Sequence, residues 1–155
     1  MILSSSAFTH QGEIPAMYTC EGENVSPPLR WKEVPPNTKS FALIVDDPDA
    51  PDPKHPQTTW VHWVAYNIPA NTTNLPEHTE KLPVGAADGV NDWHKKGYGG
   101  PCPPIGRHRY FYKLYALDTK LQDLKNPNKA ALEKAMRGHV LAEAELMGTY
   151  IKKKH

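Results

Sequence analysis

A chain of 155 residues, 39% apolar and 23% charged, has room for a single domain spanning 1–155 with its own hydrophobic core. Its 18 basic and 17 acidic residues nearly cancel to a formal charge of +1, which removes the electrostatic case for nucleic acid or an acidic membrane, and no apolar run approaches the roughly 20 residues that span a bilayer. Sixteen prolines, about twice the usual share of roughly 5%, argue against a helical bundle and for strands joined by stiff loops.

The opening Met1-Ile2-Leu3 lacks the charged-then-apolar pattern of a secretion signal, which predicts a cytoplasmic protein. Residues 1–40 read as irregular edge strands, because Pro27, Pro28, Pro35 and Pro36 bar a helix. Within them Leu29 and Trp31 alternate with Arg30 and Lys32, a short half-buried strand. Phe41 to Val45 is the strongest apolar run and predicts a buried strand. It is expected to stop at Asp46-Asp47-Pro48-Asp49-Ala50-Pro51, where aspartate and proline favour a turn.

A second strand is predicted from Thr59 to Ile68, with Trp60, His62, Val64 and Tyr66 on one face and Val61, Trp63 and Ala65 on the other. Both faces are largely apolar, so the strand should be central. Residues 70–107 carry many turn formers and no regular period, and a connection of that length is usually functional or mobile. Its last part, Gly97 to Gly106, is crowded with glycine and proline and runs straight into an aromatic strand, His108 to Leu117, which has His108, Tyr110, Tyr112 and Leu114 on one face.

Asn126-Pro127 then looks like a helix start, and Leu132, Met136, Val140 and Ala144 recur every four residues. That spacing predicts a helix from about Pro127 to Met147, interrupted by Gly138 and stopped by Gly148. Cys20 and Cys102 are the only thiols. In a cytoplasmic protein such a pair is usually buried or inert, although both stand in glycine- and proline-rich loops that could meet in a disulfide; the close ligand spacing of a zinc site is missing.

Three strand ends carry polar groups: Asp47, His62 and His108. If the first strand runs antiparallel to the other two, all three meet at one rim, with the Tyr110 hydroxyl on the same face as His108. A carboxylate beside an imidazole fixes its tautomer and favours its charged form, which makes an anion-binding donor. The residues alone leave other readings open: satisfied strand-end histidines beside ordinary turn aspartates, a metal site of Asp47, Asp49, His62 and His108, or Cys102 as a nucleophile with His108 as its base.

Taken in order, Asp47-Pro48-Asp49-Ala50-Pro51, then His62-Trp63-Val64 running to Asn67-Ile68-Pro69, then Gly99-Gly100-Pro101-Cys102-Pro103-Pro104 and His108-Arg109-Tyr110 resemble the signatures of the phosphatidylethanolamine-binding protein family, which includes Raf kinase inhibitor protein and plant flowering regulators. Asn91-Asp92 and Tyr98-Gly99-Gly100-Pro101 resemble its bacterial and archaeal branch more closely. The resemblance implies a mainly β fold, an antiparallel β-sandwich with long loops and a short C-terminal helix. It also implies a rim pocket for a small anionic ligand such as phosphate, a carboxylate, phosphoethanolamine or a phospholipid head group.

Carried over by residue, the pocket would be formed by Asp47, Pro51 after a cis peptide, His62, Gly100, Cys102, His108 and Tyr110. The chain departs from the animal pattern at Cys102, which stands where a glycine offers its N–H, and in a shorter span from Pro104 to His108. Tyr150 is the one candidate for the aromatic that closes the animal pocket from the C-terminus. The expectation is a non-enzymatic binder with no metal and no cofactor that modulates a protein partner, with a homodimer suggested by the bacterial branch. An inhibitor of a kinase or protease acting through exposed loops is the alternative, followed by a Cys102/His108 hydrolase.

Overall fold

In the computed structural model, residues 1–153 are described, and they form two antiparallel sheets and one helix. The smaller sheet has the order β1, β2, β5, made of β1 (Ile2–Ser4), β2 (Leu29–Lys32) and β5 (Asn74–Leu75). The larger has the order β6, β4, β3, β7, β8, made of β3 (Ser40–Asp52), β4 (His55–Pro69), β6 (Ala87–Asp88), β7 (Arg107–Leu117) and β8 (Val140–Ile151). One helix, α1 (Lys129–Met136), connects β7 to β8.

The layering follows from side-chain alternation. Phe41, Leu43 and Val45 of β3 face the small sheet and pack with Leu29, Trp31, Leu75 and Tyr112 in the main core. Their neighbours Ala42 and Ile44 face the other way, where Leu132 and Met136 of α1 cover them together with Val64 and Tyr66. The five-stranded sheet is therefore apolar on both faces. Buried Asp46 ties the helix to it, accepting from Lys129 at the start of α1 (2.7 Å) and from Lys113 of β7 (3.2 Å).

Two expectations need correction. The first strand does not stop at Asp46 but runs to Asp52, crossing the aspartate and proline motif by register shifts and a cis Ala50–Pro51 peptide. Asp47 thus stands within a strand. The C-terminal segment is not one helix either: α1, capped by Asn128, ends after eight residues, and Gly138, at a φ of +82°, turns the chain into β8. The last element is a strand, paired to β7 along its length. Gly148 does not end a helix; it sits inside β8 opposite Tyr110, where a Cβ would stand 2.5 Å from Ile14 Cγ1.

Candidate functional site

β3 is antiparallel to both β4 and β7, so the late part of β3 lies beside the early parts of the other two. This brings Asp47, His62 and His108 to one rim, as the strand-end pattern predicts. A β-bulge completes the arrangement. Val45 pairs with Trp63 and Asp46 with Val61, which leaves His62 as the extra residue between them. The bulge takes His62 off the face of Val64 and Tyr66, where strict alternation had placed it, and turns it toward Tyr110, with ring centroids 5.2 Å apart.

His108 and Asp47 form a buried pair. Asp47 Oδ2 lies 2.6 Å from His108 Nδ1, and Asp47 Oδ1 accepts from the Asp49 amide at 2.7 Å. His108 Nε2 lies 2.8 Å from the Ile105 carbonyl oxygen and 3.0 Å from that of Pro51. Carbonyl oxygens only accept, so Nε2 carries a proton and donates it to the backbone. Burial pushes the Asp47 carboxyl up, against the pull of His108. The expected pair exists, but the His108 donors are engaged within the protein, so the imidazole frames the pocket and is no free anion donor.

The neighbouring Asp49 fixes the same corner from outside. Its carboxylate accepts from Arg109 Nε (2.9 Å), Arg109 Nη2 (2.8 Å) and the Arg109 backbone amide (2.9 Å), and these Arg109 bonds hold its carboxyl below the usual range. The segment carrying Asp47 is thereby clamped to the strand carrying His108.

His62 is 3% exposed, and its Nδ1 lies 2.7 Å from the Gly99 carbonyl oxygen. Burial pushes its pKa down to about 4 from 6.5. In the unfolded chain the ring takes up its proton at the higher value, so between about pH 6.5 and 4 the unfolded state binds more protons and stability falls with pH. The loss at the lower end is about 3 kcal/mol. Urea unfolding at pH 7, 5.5 and 4.2 should show this decline in the wild type and a flatter profile in His62→Phe; identical profiles would contradict the assignment.

Six of the seven predicted residues, Asp47, Pro51, His62, Cys102, His108 and Tyr110, line one cavity of about 360 Å³. Gly100 does not. It borders the adjoining cavity and acts as a spacer: a Cβ there would lie 2.2 Å from the Tyr18 carbonyl oxygen, and its amide donates to Asn24 Oδ1 at 2.9 Å. Tyr150 is also elsewhere. It stands opposite His108 in register, but its hydroxyl donates to Glu21 at 2.6 Å and it does not line the cavity.

A sequence model of the phosphatidylethanolamine-binding protein family matches residues 4–151. The chain belongs to this family. It is 51% identical to a UPF0098 protein of the archaeon Methanothermobacter thermautotrophicus over 97% of this chain and 98% of that one, and 45% identical to a UPF0098 protein of Chlamydia pneumoniae over 98% and 99%. Among solved structures it is similar to a phosphatidylethanolamine-binding protein homologue from Chlamydia trachomatis, with a TM-score of 0.90, 43% identity and 97% of both chains covered. It is also similar to Escherichia coli YbcL, described as a member of the mammalian family, with a TM-score of 0.88, 37% identity and 98% of both chains covered.

In this phosphatidylethanolamine-binding protein family member the remaining walls come from residues not singled out for the site in the sequence. Trp60, Trp93, Ala50, Pro103 and Pro104 complete the lining, with Trp60 and Trp93 edge to face at 5.5 Å. Trp60 lies two residues before His62 and opposite Asp47 in register, so its place was signalled. Trp93 was not: it reaches the pocket from the long connection, and its ring meets His62 at 5.0 Å.

Cys20 and Cys102 form a disulfide, which corrects the expectation of inert thiols. With its sulfur bonded, Cys102 is not a free nucleophile for His108. Among the described residues no helix is long and apolar enough to cross a membrane, and no cluster of three or more His, Cys, Asp or Glu is arranged to hold a metal ion.

Proposed function

We propose that the rim pocket binds a small anionic ligand, a phosphate, carboxylate or phospholipid head group, without chemical turnover, and that occupancy modulates a protein partner such as a kinase or protease. The observation that carries this is the convergence of three strands and the proline loop on one aromatic-walled cavity with a protonated donor inside it. That donor is the Tyr110 hydroxyl, whose ionisation burial strongly opposes. Binding without turnover is supported by Cys102, the thiol nearest the His108 base in sequence, which is committed to the bridge. Ile105 and Trp93, 53% and 39% exposed, give the loops around the pocket an apolar surface suited to a partner. A cytoplasmic location is compatible with the Cys20–Cys102 bridge only where the cytosol tolerates disulfides, as in hyperthermophiles.

Calorimetry with phosphoethanolamine tests the donor. A hydrogen bond to a charged group is worth about 1.5 to 3 kcal/mol, so Tyr110→Phe, which removes only the hydroxyl, should weaken binding roughly ten- to a hundredfold. Equal heats from wild type and variant would reject the pocket as the binding site.

A further inference from the structure

The Cys20–Cys102 bridge stands at the boundary of two cavities: Cys102 lines the rim pocket, and both cysteines line the adjoining cavity of about 310 Å³. Both cysteines are exposed. Exposed disulfides are the ones that exchange with thiols in solution. The only charged side chains lining the second cavity are Lys95 and Lys96, and among the described residues neither is in an ion pair. Their loop is pinned by buried Asn91. The Asn91 Oδ1 accepts from the amides of Trp93 (3.0 Å) and Lys95 (3.2 Å), its Nδ2 donates to the Gly97 carbonyl (3.1 Å), and its backbone amide donates to the Lys95 carbonyl (2.8 Å). The nearest carboxylates in sequence to Cys20 are turned elsewhere: Glu21 accepts from the Tyr150 hydroxyl and the Lys153 amide, and Glu23 lines a different cavity. Lys96 borders that cavity too and acts on Asp88, so Lys95 is the less shared of the two ammonium groups.

We propose that the bridge is a thiol–disulfide exchange site whose co-substrate is a small anionic thiol, drawn into the second cavity by Lys95 and Lys96. The incoming thiolate attacks Sγ of Cys20 or Cys102. A new S–S bond forms as the Cys20–Cys102 bond breaks, and the electron pair leaves on the other Sγ as a thiolate, a charge that the two ammonium groups favour. A second thiolate then attacks the small-thiol sulfur of the mixed disulfide and frees the remaining cysteine. The net change reduces the bridge and oxidises two small thiols to their disulfide, with their two protons passing to the cysteines. The loops stay together throughout, because the Cys20 amide still donates to the Pro101 carbonyl and the Gly100 amide to Asn24 Oδ1. The freed sulfur therefore remains beside the mixed disulfide. Because Cys102 also walls the rim pocket, an adduct on it changes that wall.

Reduction of the folded wild-type chain by 3-mercaptopropionate, 2-mercaptoethanol and cysteamine, followed by alkylation and intact mass, tests this. Each rate is taken per thiolate and divided by the same thiol's rate on bis(2-hydroxyethyl) disulfide, which removes intrinsic nucleophilicity. At an ionic strength of about 10 mM, where screening is weak, the anionic thiol should exceed the neutral one by about tenfold and cysteamine should fall below both. In about 1 M salt the Debye length shrinks to about 3 Å, and the three should converge. Lys95→Gln should remove most of the anionic advantage and Lys96→Gln less of it, while the salt series on the wild type needs no variant. Equal ratios for the three thiols at low salt overturn the anionic co-substrate. An anionic advantage that survives both substitutions together overturns the role of the two lysines. A bridge that none of the thiols opens until the chain unfolds overturns the exchange site itself.

Discussion

Asp47→Ala should remove about 3 to 5 kcal/mol from the free energy of unfolding, the range expected when one member of a buried charged pair is deleted. The carboxylate is 3% exposed and holds two partners, His108 Nδ1 through Oδ2 and the Asp49 amide through Oδ1. Alanine leaves both donors facing a low-dielectric interior with nothing to accept them. Domains of this size are stable by only about 5 to 15 kcal/mol, so the loss should be plain in urea unfolding. Replacing both partners, as Asp47→Leu with His108→Leu, should recover much of the stability, because apolar residues of similar size substitute well for a buried pair. Phosphoethanolamine binding should stay lost in both variants. A single-variant cost below about 1 kcal/mol would show that water reaches the pair and that it behaves as a surface contact. Arg109 offers the contrast: it also bonds a motif aspartate, but its side chain is 51% exposed and solvent screens the pair.

The three central strands were legible: Phe41 to Val45 as a short, bulky apolar run buried on both faces, and Thr59 to Ile68 and His108 to Leu117 through a side-chain period of two. The rim followed, since antiparallel pairing places the end of one strand beside the starts of its neighbours. The same reasoning failed at β8. Leu132, Met136, Val140 and Ala144 are spaced by four, which suits a helix, but four is also twice two, and the run Ala142, Ala144, Leu146, Gly148 fits a strand as well. Gly138 decides between them by turning the chain, and the pattern alone does not say whether a glycine is a kink or a corner. The face of His62 was illegible for a related reason: a bulge inserts one residue and reverses the alternation on one side of it, with no fixed residue type to announce it. Trp93 was hidden because its place depends on how a long connection folds against β4, where Asp92 and Gly99 donate backbone N–H groups to the Val61 and His62 carbonyls.

Reducing the Cys20–Cys102 bridge should cost roughly 4 to 5 kcal/mol, because the two residues are 82 apart and a cross-link over so long a loop removes much of the freedom of the unfolded chain. The native state should resist disassembly locally. Cys20 N–H still donates to the Pro101 carbonyl (3.0 Å), Gly100 N–H to Asn24 Oδ1 (2.9 Å) and the Tyr98 hydroxyl to the Tyr18 carbonyl (2.7 Å), so three hydrogen bonds continue to join the same two loops. The stability effect should therefore exceed the structural one: urea midpoints with and without dithiothreitol should separate widely while the sheets stay intact under native conditions. Binding distinguishes the roles of the two sulfurs. Cys102 lines the cavity and Cys20 does not, yet either serine variant breaks the bridge. If the bridge acts by holding the proline loop in place, Cys20→Ser and Cys102→Ser should weaken phosphoethanolamine binding equally. If the wall atom itself matters, Cys102→Ser should weaken it more. A reduced protein with an unchanged urea midpoint would mean that the three hydrogen bonds already set the loop and that the bridge adds nothing to the fold.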